Sequence, residues 1–279
     1  MTFSIVACDL KEKAWGVAVA SKFPAVGAVV PWAQADAGAV ATQSFANTSY
    51  GPRGLQMMAQ GFSAKQALKS LLDNDLDKED RQVGLVDAKG NAATFTGSVC
   101  FDWAGGVTGK GYAIQGNILA NAKVVPAMEK KFLEAKGDLP TRLYAALLAG
   151  DRIGGDRRGR QSAAIYVAKP NSGYGGFTDR WMDYRVDDHE DPVLRLGELI
   201  ELHRLYFDKS LENERVVLKG KPLVQVTTIL KREGYLKKNV SFQEAYKVFI
   251  EYENFEERSD PNAQWIDKPV LKYLVKKFK

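Results

Sequence analysis

Residues 2–8, TFSIVAC, and 15–21, WGVAVAS, decide the fold. In the first, Phe3, Ile5 and Ala7 alternate with Thr2, Ser4 and Val6, and no charge intervenes before Asp9. A run this rich in β-branched and aromatic residues favours a pleated strand. The second run is equally apolar, and the charged segment DLKEK (9–13) turns the chain between them. Apolar residues at both alternating sets of positions describe strands covered on both faces. A chain start usually frays unless something ties it down. A strand beginning at residue 2 therefore has to lie inside a sheet, and burying it calls for a reason.

Working outward, residues 26–33 and 38–45 read as two further strands of small residues. The segment NTSYGPRG (47–54) breaks the pattern with glycine and proline. Helices are expected over 53–60 and from the N-cap Ser63 to Asn74, the latter with Ala64, Ala67, Leu68, Leu71 and Leu72 on one face. RQVGLVD (81–87) and AATFTGS (92–98) flank AKGN as a hairpin, and GYAIQGNIL (111–119) is a strand that ends at Gly116-Asn117. Helices follow over 122–136 and 139–149, the second closed by Gly150. RQSAAIYVA (160–168) is a strand, and Asp191-Pro192 opens a helix to about residue 208. Strands grouped in hairpins, then paired helices, then the same again, describe an α+β fold of antiparallel sheets between helix layers.

The chain has 279 residues, 45% hydrophobic and 26% charged, as expected of a globular protein. It contains no apolar run long enough to span a membrane, and its start lacks the features of a secretory signal, so a cytoplasmic protein is expected. Cys8 and Cys100 form neither a CxxC pair nor a disulfide framework. With only His189 and His203, a histidine-rich metal site is excluded and a Ser-His-Asp triad has little raw material. No metal and no cofactor is expected. The net charge of +5 resides wholly in the last quarter, where 15 lysines and arginines face 10 acids from residue 209 on. Two domains follow, 1–208 and 209–279. The second reads as a small helical module over 222–233, 241–252 and 267–278, with Ser241 and Glu244 as a capping box. Its lysines are mixed with acids on helix surfaces, which points to neither nucleic acid nor membrane.

Thr2 supplies the reason for a buried first strand. Initiator methionine is normally removed before a residue as small as threonine. The free α-amine, with a pKa near 7.7–8.0, then serves as general base for the adjacent hydroxyl, directly or through a water. The plain alternative is that Thr2 only begins an edge strand.

With MTFSIVACD and WGVAVASKFPAVGAVVPWAQADAGAVATQ (15–43) go NTSYGPRGL, GYAIQGNIL, GGDRRGRQSAA (154–164) and RVDDHEDP (185–192). In this order and spacing they resemble an uncharacterised bacterial family, domain of unknown function 1028, over residues 1–208. The resemblance implies the four-layer αββα sandwich of N-terminal-nucleophile (Ntn) hydrolases, with Thr2 as nucleophile. ENFEER (253–258) and WIDKPVLKYL (265–274) are similar to an extension assigned to peptidoglycan binding. One departure stands out. Proteasome-like members have an acid after the second strand and a later lysine, whereas here Ser21 and Lys22 follow with no acid.

Other candidates complete the site. Asn117, at a glycine-flanked strand end, is an oxyanion donor or a turn-closing residue. Asn47 in SFANTSYG is a substrate contact or a turn residue. In the glycine-rich loop, Arg157 or Arg158 clamps a substrate carboxylate while Asp156 fixes the loop; an internal salt bridge is the alternative. Gln161 and Ser162 lead into the next strand and line the same pocket, with Lys22 as a charged neighbour. Asp187, Asp188 and His189 in RVDDHEDP offer metal-ligand types, but a helix entry with dipole-favoured acids explains them better. The leading function is an amidohydrolase of a small amide or peptide-like substrate. The runner-up is a non-catalytic ligand-binding protein on the same fold, its tail binding a cell-wall fragment or other polymer. Exposed glycine-rich strand ends leave room for a homodimer.

Overall fold

The computed structural model describes residues 2–208 and 210–279. Met1, whose removal the Thr2 reading requires, and Lys209, where the basic tail begins, lie outside the described residues. Two compact units divide the chain between Ile200 and Glu201, earlier than the boundary read from the charge distribution.

The first unit contains β1 (Thr2–Asp9), β2 (Ala14–Ser21), β3 (Pro31–Gln34), β4 (Gly38–Ser44), α1 (Tyr50–Ala59) and α2 (Ala64–Asp73). Next come β5 (Arg81–Asp87), β6 (Ala92–Thr96), β7 (Gly105–Gly109), β8 (Tyr112–Asn117), α3 (Val124–Glu134) and α4 (Leu139–Arg152). Then follow β9 (Ser162–Ala168), β10 (Arg180–Val186) and α5 (Pro192–Phe207), within which the division falls. One sheet runs β10-β9-β2-β1-β8-β7, the other β3-β4-β5-β6, and every pairing is antiparallel.

Period-two alternation assigns each strand residue to one of three layers. From β1, Phe3, Ile5 and Ala7 pack with Met128, Phe132, Leu143 and Leu147 of α3 and α4. The other set, Val6 and Cys8, meets Val17, Val19, Ala39, Ala41 and Val86 between the two sheets. On the outer face of the second sheet, Val40, Val83 and Leu85 pack with Leu55, Met58 and Leu71 of α1 and α2. Each fully buried Val, Leu or Ile contributes about 1.5–3 kcal/mol. Both sheets are thus apolar on both faces, which explains strands with no polar alternation.

Local signals place most boundaries. Ser63 caps α2 through the Gln66 amide, and the Gln66 side chain accepts from the Ser63 N–H at 2.9 Å. Residues 26–33 depart from the expected strand. The chain passes through Ala25 at φ 50°, makes a 3-10 turn over Val26–Ala28 and enters β3 only at Pro31. That turn buries Val26 and Val30 between the sheets. β7, GGVTG, escapes sequence reading because glycine is a poor strand former. Gly150 lies inside α4 instead of closing it, because a Cβ there would stand 2.7 Å from Met128 of α3.

The second unit holds α6 (Lys221–Arg232), α7 (Phe242–Tyr252) and α8 (Lys268–Lys277). It adds a small sheet, β11-β13-β12, from β11 (Arg215–Val217), β12 (Ser259–Asp260) and β13 (Trp265–Asp267), absent from the purely helical expectation. Leu230, Tyr246, Phe249, Phe255, Ile266 and Leu274 form its core. At its centre Arg258 and Asp267 form a buried ion pair, Nε donating to Oδ2 at 2.6 Å. Arg258 Nη1 also donates to the Arg204 and Asp208 carbonyls at 2.9 and 2.7 Å, and Ser210 Oγ donates to Asp267 Oδ1 at 2.6 Å. Removing one partner leaves a buried charge unmatched. Asp267→Asn should therefore cost about 3–5 kcal/mol, read as lost hydrogen-exchange protection of α7 and α8 in the full chain. Wild-type protection in the variant would refute this.

Candidate functional site

Four polar residues stand in one row across the first sheet. Thr2 opposes Asn117, and Ser21 opposes Ser162. Thr2 Oγ1 lies 3.1 Å from Ser21 Oγ, linking the two pairs. All four are buried, at the end of the inter-sheet layer where apolar residues give way to polar ones.

Behind this row an amide network joins the sheets. Gln43 Nε2 donates to the Thr2 carbonyl at 3.1 Å and to Gln82 Oε1 at 2.8 Å. Gln82 also accepts from Asn117 Nδ2 at 2.9 Å and donates to the Gly116 carbonyl at 2.8 Å. Ser4 Oγ donates to Gln43 Oε1 at 2.7 Å and accepts from Gln115 Nε2 at 2.6 Å. Gly84 makes room for the Gln115 carboxamide, which would collide with any Cβ there. Among the described residues no buried side-chain polar atom lacks a partner. Strand position and register therefore fix Thr2 on both sides.

Thr2 lines a cavity of about 460 Å³ together with Phe23, Val26, Val29, Val30, Gln43, Ser44, Phe45, Ala46, Arg81 and Arg158. Two non-glycine residues in the left-handed region belong to or adjoin the lining, Ser44 (φ 70°) within it and Ala25 (φ 50°) beside Val26, and a third, Ile118 (φ 47°), follows Asn117. Such conformations persist only where the surroundings impose them, and they collect at functional sites.

Of the sequence candidates, Thr2 and Arg158 line the cavity. Asn117 neighbours Thr2 across the strands, one amide hydrogen engaged by Gln82. Ser162 is wholly buried and braces the cavity wall, donating to the Phe23 carbonyl and accepting from the Val26 N–H. Asp156 accepts from the Lys22 N–H at 2.6 Å and the Arg158 N–H at 2.8 Å, with Arg158 Nη2 at 3.3 Å. It thus ties the glycine-rich loop to the end of β2. Lys22 and Arg157 are exposed and outside the lining. Gln161 donates to Asp188 at 3.1 Å, Asp187 accepts the Ala25 N–H through its carbonyl, and His189 Nδ1 accepts from the Asp191 N–H. None of these four lines the cavity. No cluster of three or more His, Cys, Asp or Glu suited to a metal ion occurs among the described residues.

Sequence reading missed Arg81 and its support. Arg81 Nε donates to Asp75 Oδ2 at 3.0 Å and Nη1 to the Phe45 carbonyl at 2.7 Å. Asp75 also accepts from Asn47 Nδ2 at 3.1 Å and Tyr50 OH at 2.8 Å. Asn47 thus shapes the loop beside the cavity without entering it. The glutamine network, also missed, did leave a visible signal: GAVATQS, RQVGLVD and YAIQGN each place a glutamine within an apolar strand, and all three meet between the sheets.

The Arg81 guanidinium, followed by hydrogen bonds from Asn47, Tyr50 and the Asp77 amide, holds the Asp75 carboxyl well below its ordinary value of 3.8. Burial, then the bond to Asp75, pushes the Tyr50 hydroxyl up. A depressed folded-state value stabilises the fold above the unfolded value and loses that contribution as pH falls through the folded one. The unfolding midpoint should therefore drop between about pH 5 and pH 2. Asp75→Asn should cost about 2–3 kcal/mol at neutral pH and flatten that part of the profile. A variant profile parallel to wild type in a thermal-melt series would contradict this.

Residues 2–196 match the model of a family described as "Family of unknown function (DUF1028)". Residues 206–274 match that of a domain described as "Putative peptidoglycan binding domain". The crystal structure of protein SPO2555 from Silicibacter pomeroyi, itself assigned to DUF1028, is similar over 73% of this chain and 86% of its own. It has a TM-score of 0.67 and 32% sequence identity. No curated protein matches the chain. Model and structure agree over the unit that carries the cavity: the chain belongs to the family of unknown function DUF1028.

Proposed function

We propose that the first unit is an Ntn-type hydrolase of amide bonds with the four-layer αββα architecture of that class, acting on a small amide or peptide-like substrate. The observation that carries this reading is the position of Thr2: first residue of a central strand, buried, and part of the cavity lining. The helix-pair and sheet packing described above supports the architecture.

Once Met1 is removed, the α-amine of Thr2 accepts the hydroxyl proton as Oγ1 attacks the amide carbon. The amine returns that proton to the leaving nitrogen, and an ester on Thr2 remains. Water, deprotonated by the same amine, releases the acid and restores the hydroxyl. Ser21 Oγ, 3.1 Å from Oγ1, orients the nucleophile. The second amide hydrogen of Asn117 is the candidate oxyanion donor, and Arg158 is the candidate carboxylate contact. The N-terminal peptide of untagged protein should begin at Thr2. Thr2→Ala should then lower turnover of any amide found in a library screen by about a thousandfold or more, with Thr2→Ser retaining part of it. Retained Met1, or full turnover by Thr2→Ala, would refute the mechanism.

A second reading has its own support. The acid that proteasome-like members carry after the second strand is missing here, where Ser21 and Lys22 follow, which favours a ligand-binding protein without turnover. For the second unit, the match over 206–274 supports binding of a peptidoglycan fragment. The full chain should co-sediment with insoluble peptidoglycan, and a chain that stays wholly in the supernatant would end that assignment.

A further inference from the structure

The lining of the Thr2 cavity contributes two guanidinium groups and no carboxylate. Both are paired with acids. Arg81 directs its three nitrogens to Asp75, Asp77 and the Phe45 carbonyl, while Arg158 pairs with Asp156 through Nη2. None of these three acids belongs to the lining, and Arg158, with 45% of its side chain exposed, is the guanidinium a ligand meets. A guanidinium braced this way loses little freedom when it takes a planar anion bidentately.

The rest of the wall is apolar. Phe23 and Phe45 remain 47% and 58% exposed although they come from different loops, and Val26, Val29 and Val30 extend the same surface. Large apolar side chains left in water around a pocket are what a flat or branched apolar group covers. Polar groups confined to Thr2, Gln43 and Ser44 complete the lining.

We propose that this cavity binds N-acyl derivatives of aromatic or large apolar amino acids with a free carboxylate. The carboxylate sits on Arg158, the side chain against Phe23 and Phe45, and the amide over Thr2. The orientation of the amide rests on the hydrolase reading; recognition of the acid and the side chain does not. Cationic amides find no counter-charge in the lining and are excluded.

Calorimetry on the full chain tests this with three probes: N-acetyl-phenylalanine, its carboxamide, and N-acetylglycine. The free acid should bind at least tenfold tighter than either of the others. Phe45→Ala, at an exposed rim position, should weaken N-acetyl-phenylalanine about tenfold and leave N-acetylglycine unchanged. Arg158→Lys, which keeps a cation beside Asp156, should narrow the gap between acid and carboxamide. Equal or tighter binding of the carboxamide overturns the proposal, as does the absence of binding by all three probes at millimolar concentration. Product assays on the same samples separate the two readings. Binding of the acid without Thr2-dependent turnover supports the proposal and removes the hydrolase. Thr2-dependent turnover of the carboxamide in preference to the acid does the reverse.

Discussion

Three glutamines from three strands meet between two sheets, and the position of Thr2 at the cavity depends on that meeting. A carboxamide buried without partners costs several kcal/mol, so Gln43, Gln82 and Gln115 are tolerated only in an arrangement that satisfies all of them. Their partners, Ser4, Asn117, Thr94 and the Thr2 and Gly116 carbonyls, come from both sheets. The network therefore acts as a register lock. Shifting β1 by one residue would turn Thr2 and Ser4 toward the helices and Phe3 toward the glutamines, exchanging a satisfied polar cluster for an unsatisfied one. Apolar burial alone would hold the sheets together without choosing that register, since valine and alanine line much of the layer.

The layer is graded, and the gradient locates the site. Trp15, Val17 and Val19 make one end dry, while Ser21 ends the same face of the same strand on a hydroxyl. Where the polar end reaches the surface, the loops after β2 and β4 supply the walls, each turned by a non-glycine residue at positive φ. Rigid strands thus position the floor, and loops supply the chemistry around it, the division of labour expected of a binding site.

Most of the architecture was legible because its signals are local. The alternation in TFSIVAC, the Ser63 cap and the hairpin at AKGN each act within a few residues. The polar row was half legible: Thr2 and Asn117 stand at strand ends, but nothing in the sequence says that Ser21 and Ser162 lie beside them, since that follows from strand order. Arg81 was invisible for the same reason. At the head of an apolar strand it reads as a solvated boundary residue, and only the packing of the 45–50 and 75–77 segments gives it a partner in Asp75. Asn47 and Ser162, chosen as substrate contacts for their residue type, are bound to the backbone and side chains that shape the wall. In the second unit the small sheet went unread because strands of two or three residues carry no periodicity.

Gly84 and Gln115 share one volume across the gap between the sheets. Enlarging residue 84 alone drives a methyl into the carboxamide, and shortening residue 115 alone opens a void and takes one hydrogen bond from each of the Ser4 and Thr94 hydroxyls. Only a simultaneous exchange, small for large on one strand and large for small on the other, keeps the space filled. The two positions are therefore epistatic in sign: each change is harmful in the presence of the other's original partner and tolerable once both are made. A lineage drifting at either site would have to cross a valley of less stable intermediates, so the glutamine pillar, once assembled, is hard to lose by single steps.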